Sequence, residues 1–289
     1  MSGAPSTTLT SIHDLWTILR RTGSEVISDR VPAVAGGVTF YGLLSLFPAI
    51  TVLMSLYGLV ADPASVPEHL QALAIVVPEG ALAIIGEQVR RIIEADQSKL
   101  GVAAIAGLVV ALWSANSAMK AMMDALDIAY DTEERRGFLV LNLVSLGFTL
   151  AAIAGFIVMI TAIAAVPVML DVLRLGPLGD VLLWAGRWPA MLVLTGAALA
   201  VLYQWGPSRP GVAWRWITPG GVLASAALVG FSMLFSWYAA NFANYNATYG
   251  SLGAVIGFLV WMWLSVIIVL AGAELNAEVE ARNPRSSAD

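Results

Sequence analysis

The chain contains no cysteine and only two histidines, His13 and His69, in 289 residues. The first absence excludes disulfides, thiolate catalysis and cysteine metal sites. The second leaves too few imidazoles for a His-rich zinc centre, and the two fall on segments that the topology below puts on opposite sides of a membrane. Charge is also scarce. Asp, Glu, Lys and Arg make up 12% of the residues, against roughly 25% in soluble domains. No concentrated basic block of the kind that binds nucleic acid is present, and the formal net charge of −5 is modest. No cleavable signal peptide is visible, because the first long apolar run begins only near Val34. What fills the chain instead is hydrophobic residue, at 58%. A soluble chain of this composition has no means of covering its surface, so the bilayer is its solvent.

The clearest span begins in the uncharged turn after Tyr245 and runs from Gly250 to Ala273 without a charged residue; Glu274 follows. At about 1.5 Å per residue this crosses a bilayer core. Gly253 and Gly257 form a GxxxG pair that lets a second helix approach closely. Five further apolar runs give an all-α, polytopic membrane protein with six transmembrane helices, at about 34–60, 100–120, 138–169, 188–205, 218–240 and 250–273. Pro48 lies inside the first and is expected to kink it, as gate machinery or as plain packing. Trp188–Pro189 is read as the start of the fourth, where proline suits a first turn. Gly220, Gly221, Ala224, Ser225 and Gly230 supply close-packing positions in the fifth.

Outside the spans, residues 1–33 form a cytoplasmic N-terminus. Ile12, Leu15, Trp16, Leu19 and Val26 recur there at helical spacing, giving an amphipathic helix that lies on the membrane surface or docks on the bundle. Residues 61–99 carry two short amphipathic external helices separated by Pro78, and 282–289 form a cytoplasmic tail. The side holding the termini takes ten lysines and arginines, including Arg20, Arg21, Lys120, Arg135, Arg136 and Arg282, against Arg90, Arg91, Lys99, Arg174 and Arg187 on the other. The excess puts both termini in the cytoplasm. No internal repeat of the secondary-transporter kind is evident.

Polar groups gather in three places. Thr39, Ser45, Pro48, Ser114 and Asn116 lie in the first two spans, where they can line a path for a polar headgroup. Lys120, Asp124, Asp127, Glu274, Asn276 and Glu278 gather at the cytoplasmic helix ends. There they are either a solvated rim with local ion pairs or the polar mouth of a cavity. Asn116, Lys120, Asp124 and Asp127 are spaced to share one helix face. Tyr238, Asn241, Asn244, Tyr245, Asn246 and Tyr249 cluster externally between the fifth and sixth spans. Amides and phenols can hold a lipid headgroup or glycan without charge, or simply satisfy the backbone of a tight hairpin.

Three stretches carry a family resemblance: AGGVTFYGLLSLFPAI (Ala35 to Ile50), ALDIAYDTEERRGF (Ala125 to Phe138) and YNATYGSLGAVIGFLVWMWLSVIIVLAGAELNAEVE (Tyr245 to Glu280). They resemble the YihY/virulence factor BrkB family of bacterial inner-membrane proteins, once called ribonuclease BN-like, and cover essentially the whole chain. Asp127 stands where that pattern has asparagine. The resemblance implies a six-helix protein of the cytoplasmic (inner) membrane, linked to envelope traits such as serum resistance, with a lipid-transport role suggested and the ribonuclease name regarded as a misassignment. The residues agree on the last point. Metal-dependent phosphodiester cleavage needs clustered carboxylates or histidines, and no acid falls inside a span as placed here. Glu274 and Glu278, one turn apart, are read as a solvated helix terminus. The sequence reading is therefore a non-enzymatic membrane protein that transports or handles an envelope lipid or other amphiphile. The alternative is a scaffold for envelope assembly. Membrane lipids are the expected partners, with room for a homo-oligomer, and no cofactor, metal or nucleic acid is expected.

Overall fold

A computed structural model describes residues 12–60, 97–172, 177–209, 216–241 and 253–282. The described residues form seven helices: α1 (Ile12–Ser28), α2 (Val31–Val60), α3 (Gln97–Ala129), α4 (Phe138–Val172), α5 (Pro177–Trp205), α6 (Pro219–Asn241) and α7 (Gly253–Arg282). Five of them contain segments long and apolar enough to cross a membrane: Ile105–Ala129, Phe138–Gly155, Trp188–Trp205, Pro219–Tyr238 and Val255–Arg282. In α2 the apolar stretch Val31–Ser45 belongs to a helix of 30 residues, about 45 Å at the α-helical rise. The protein is thus an all-helical, multi-pass membrane protein. The expected external helices lie almost wholly in 61–96, outside the described residues, as do Asn244, Tyr245, Asn246 and Tyr249 of the external cluster.

Helix α7 holds the bundle together, packing on α6, α2, α1 and α3, while α2 lies along α3 and α4 touches α3 and α5. Among the described side chains, the core these contacts enclose gathers where α2 and α6 start and α3 and α5 end. It comprises Val31, Ala35 and Val38 at the start of α2, Ala125, Leu126 and Ala129 at the end of α3 with Tyr130 just beyond, Leu199 and Tyr203 near the end of α5, Ala224 in α6, and Val266 to Ala273 in α7. On the outer faces of the helices large apolar side chains are exposed: Trp113 is 71% exposed, Leu139 80%, Leu143 73% and Val193 72%. An outward apolar belt is what hydrocarbon requires of a spanning bundle.

Several boundaries differ from the sequence expectation. Helix α5 starts at Pro177, so Pro189 lies inside it rather than at its start. The apolar run that marks the span begins later than the helix, because one helix continues from the span into a polar extension. Helix α2, by contrast, ends at Val60 as expected of the first span and runs through Pro48. Helix α7 does not stop at the first carboxylate but runs on through Glu274 and Glu278 to Arg282. Gly253 and Gly257 are both buried in α7. Gly230 is exposed, with open space where a Cβ would stand, so it is not a close-packing position. That role falls to Gly220 and Gly272. A Cβ on Gly220 would lie 1.9 Å from the Gly272 carbonyl oxygen, and one on Gly272 would meet the Tyr203 hydroxyl and the Ala224 side chain.

Helix α1 packs on the bundle. Ile18 and Thr22 are buried at 3% and 8% exposure, and the helix packs on α7 and α2. Trp16, Leu19 and Ile27, on the adjoining face, are exposed.

Candidate functional site

The candidate site is a polar layer laid through the core end of the bundle. It begins where α3 stops. Asp131 takes a left-handed backbone, φ 50°, and the Asp131 and Thr132 N–H groups donate to the Ile128 and Asp127 carbonyls. This is a Schellman closure with aspartate where glycine is usual. The turn brings the Thr132 hydroxyl back to the Asp127 carboxylate at 3.1 Å. The same Oδ1 accepts the Ser208 N–H at 2.6 Å, tying α3 to the end of α5. Asp127 is 4% exposed, and its Oδ2 is buried with no partner.

Across the loop, Glu134 accepts three Arg136 side-chain hydrogen bonds, at 2.8, 3.1 and 2.7 Å. Arg136 also donates to the Gly206 and Trp205 carbonyls. It thus caps α5 with a cation where the helix dipole is negative. The Arg136 hydrogen bonds hold the Glu134 carboxyl below its ordinary range.

The second half of the layer is organised by Asn276 of α7. Helix α6 opens Thr-Pro-Gly-Gly, with Thr218 as cap and proline at the first helical position. The Thr218 hydroxyl accepts the Gly221 N–H at 3.1 Å. The free Gly220 N–H donates instead to Asn276 Oδ1 at 2.8 Å. Asn276 Nδ2 donates to the Thr218 and Tyr130 hydroxyls at 3.0 and 3.3 Å. One amide, 2% exposed, therefore joins α7, α6 and the end of α3. The Gly220–Gly272 approach makes this reach possible. The Tyr203 hydroxyl adds a bond to the Val269 carbonyl at 2.7 Å. Arg209 stacks its guanidinium over the Tyr130 ring, 3.6 Å from the centroid, and pairs with Glu280 at 2.6 Å. Burial pushes the Tyr130 phenol up to about 12, so it stays neutral beneath the cation.

Glu274 is 3% exposed, its buried Oε1 has no hydrogen-bond partner among the described residues, and its neighbours include the acids Asp29, Glu25 and Asp131. A solvated terminus was expected for Glu274 and Glu278. Instead Glu274 is enclosed because α1 folds over this part of α7, and the Glu278 Oε2 is also buried, 4.0 Å from Arg21. An acid does therefore lie within a membrane-crossing helix.

The remaining sequence candidates are dispersed. Lys120 donates to the Asn142 side-chain oxygen on α4, whereas Asp124 is exposed. Asp124 and Asp127 thus do not share an environment. Thr39 and Ser45 donate to the Ala35 and Gly42 carbonyls of their own helix at 2.8 and 2.7 Å. Ser114 is buried, and Asn116 carries a buried Oδ1 with no partner. Tyr238 is exposed, and Asn241 ends α6. Sequence reasoning missed Tyr130, Tyr203, Thr218 and Ser208. The Thr-Pro-Gly-Gly helix start was a usable signal for Thr218; aromatic residues in apolar runs gave none for the tyrosines.

A profile of the virulence factor BrkB family matches residues 22–289. The chain is 30% identical over 253 residues to a ribonuclease-like protein, YfkH, of Bacillus subtilis strain 168, covering 85% of this chain and 88% of that one. It is 28% identical over 265 residues to a UPF0761 membrane protein of Paraburkholderia xenovorans, covering 88% and 57%. It is 26% identical over 280 residues to a UPF0761 membrane protein of Neisseria meningitidis serogroup B, covering 91% and 62%. The chain thus spans about three fifths of the length of those two relatives. No solved structure matches it.

Proposed function

The chain belongs to the virulence factor BrkB family, and from that premise we propose that it is a six-span protein of the bacterial inner membrane that moves or handles an envelope lipid without hydrolysing it. Helix α2 is the sixth span beside the five helices above. The excess of Lys and Arg at the end where α1 and the polar layer sit sets that end in the cytoplasm.

One observation carries the reading: hydrogen-bonding capacity left unused inside an apolar bundle. Asn116 Oδ1, Asp127 Oδ2, Arg209 Nε and Glu274 Oε1 are all buried without hydrogen-bond partners among the described residues. Unpaired polar atoms cost free energy wherever water is excluded, and a polar headgroup entering from the leaflet supplies the missing partners. The Thr39 and Ser45 hydroxyls can also accept beyond the bonds they donate, so with Ser114 and Asn116 they extend the route into the membrane. The acyl chains stay in the bilayer, and no aqueous pore is needed. A ribonuclease-like relative makes nucleic acid cleavage the competing chemistry. Among the described residues no group of three or more His, Asp or Glu is placed to hold a metal ion.

The test is reconstitution in vesicles with fluorescent phospholipids followed between leaflets, with and without an energy source. Exchange faster than in protein-free vesicles is expected for at least one native lipid class. If no class moves under either condition, the scaffold reading replaces this one.

A further inference from the structure

The seam between α3 and α4 holds a lysine in an unusual setting. The Lys120 ammonium donates to Asn142 Oδ1, and among the described residues that is its partner. Asn142 is itself oriented, because its Nδ2 donates to the Phe138 carbonyl at 2.7 Å. The amide oxygen is thereby held toward Lys120. A lysine ammonium has three donors, and Asn142 takes one. A snorkelling lysine extends to water, whereas this one is held half-buried between two helices. One turn deeper on the same face of α3, the buried Asn116 Oδ1 has no donor among the described residues. The seam opens to hydrocarbon: Trp113 on α3 and Leu139 and Leu143 on α4 are exposed. One turn toward the helix end, Asp124 is exposed, and its charge disfavours a doubly charged phosphate.

We propose that this seam binds the phosphodiester of a glycerophospholipid from the adjacent leaflet, with Lys120 donating to a phosphate oxygen and Asn116 accepting from a headgroup hydroxyl or ammonium. The cation supplies a charge-assisted bond to the phosphate. Because Asn116 lies deeper than Lys120, the headgroup leads into the bundle while the acyl chains lie along Trp113 and Leu143. Phosphatidylglycerol and phosphatidylethanolamine carry the donor that Asn116 needs, and phosphatidylcholine does not. The inference deepens the lipid-handling reading and rests on it for the direction of entry, though not for binding itself.

Binding is measured by native mass spectrometry on the full chain in detergent, with short-chain phosphatidylglycerol, phosphatidylethanolamine and phosphatidylcholine, and with soluble glycerol 3-phosphate. The wild type is expected to bind the first two lipids more tightly than phosphatidylcholine, and to bind glycerol 3-phosphate least. Lys120→Met is expected to weaken the first two by about tenfold, the scale of one charge-assisted bond. Asn142→Asp keeps the interhelical bond but neutralises Lys120, so it weakens them similarly while the melting temperature holds, and it decides the matter if Lys120→Met does not fold. Asn116→Leu removes the preference over phosphatidylcholine. Unchanged binding in Asn142→Asp, or glycerol 3-phosphate binding as tightly as the lipids, overturns the site. Leaflet exchange on the same samples separates the two claims. Lys120-dependent binding without exchange sinks the transport reading and leaves the site standing. Exchange that survives Asn142→Asp unaltered sinks the site and leaves the transport reading.

Discussion

Asn276 bonds to three partners on two other segments, so its removal is felt in several places at once. Asn276→Leu leaves the Gly220 N–H and the Thr218 and Tyr130 hydroxyls without their shared partner. At about 1–3 kcal/mol for each buried group left unsatisfied, the melting temperature in detergent should fall by several degrees or the protein should not fold. Asn276→Asp, which keeps the acceptor for Gly220, should fall less. Equal losses in the two variants would show that the Gly220 bond contributes nothing. Glu134 gives a pH-dependent case. Its carboxyl is lowered from the ordinary 4.5, first by the Arg136 hydrogen bond. A lowered folded value means that the contribution is complete above 4.5 and is lost as the pH falls through the folded value. The melting difference between wild type and Glu134→Gln should therefore be steady at neutral pH and shrink below pH 4.5; a difference that grows on acidification contradicts the sign. Glu274 and Glu278 bear on the nuclease question. Purified protein should cleave no RNA above background with or without divalent metal. Cleavage that co-purifies with the protein and disappears in the double variant Glu274→Ala, Glu278→Ala would reinstate that chemistry.

The crossing of α6 and α7 turns on two glycines. Gly272→Ala places a methyl 2.6 Å from the Tyr203 hydroxyl and 2.7 Å from the Ala224 side chain, so the helices must part and the Asn276–Gly220 bond must lengthen. Gly230→Ala, on the same α6 but facing open space, should be neutral or slightly stabilising, since alanine is favoured over glycine in a helix by about 1 kcal/mol. The order of melting temperatures, Gly230→Ala above Gly272→Ala, is the check; the reverse order would place the contact elsewhere. These cases mark how far the sequence could be read. The apolar runs were legible as helices because length and lack of charge suffice to identify a membrane-crossing segment. The pairing of Gly220 with Gly272 was not legible, because composition says which glycines can pack closely and nothing about which face meets a neighbour. The burial of Glu274 was hidden for a related reason. A carboxylate just beyond an apolar run normally meets water, and only the docking of α1 on α7 removes it. Asp127 was visible as a departure from the family's asparagine, but its link to Ser208 runs between residues 81 apart in sequence.

For the whole molecule, the orientation is open to a direct check: a reporter fused after Asp289 should be active only inside the cell, and activity outside reverses the topology. The absence of cysteine helps with α1. A thiol at Leu19→Cys or at Arg20→Cys is the chain's only one and can carry an environment-sensitive dye. In vesicles the dye at position 19 should be quenched by lipid-borne quenchers more than the dye at 20; equal quenching would put the exposed Leu19 face in water. The links gathered around Asn276 and Asp127 have a mechanical consequence. Among the described residues, the shared core of α2, α3, α5, α6 and α7 and most interhelical hydrogen bonds gather toward one end. A bundle fastened there behaves like a set of levers on one fulcrum. A helix arm of 20 residues is about 30 Å long, so a tilt of about 5° at the fastened end displaces the far end by about 2–3 Å. A change in packing at Asn276 or Asp127 that tilts a helix therefore displaces that helix's far end by more than it moves the contact itself.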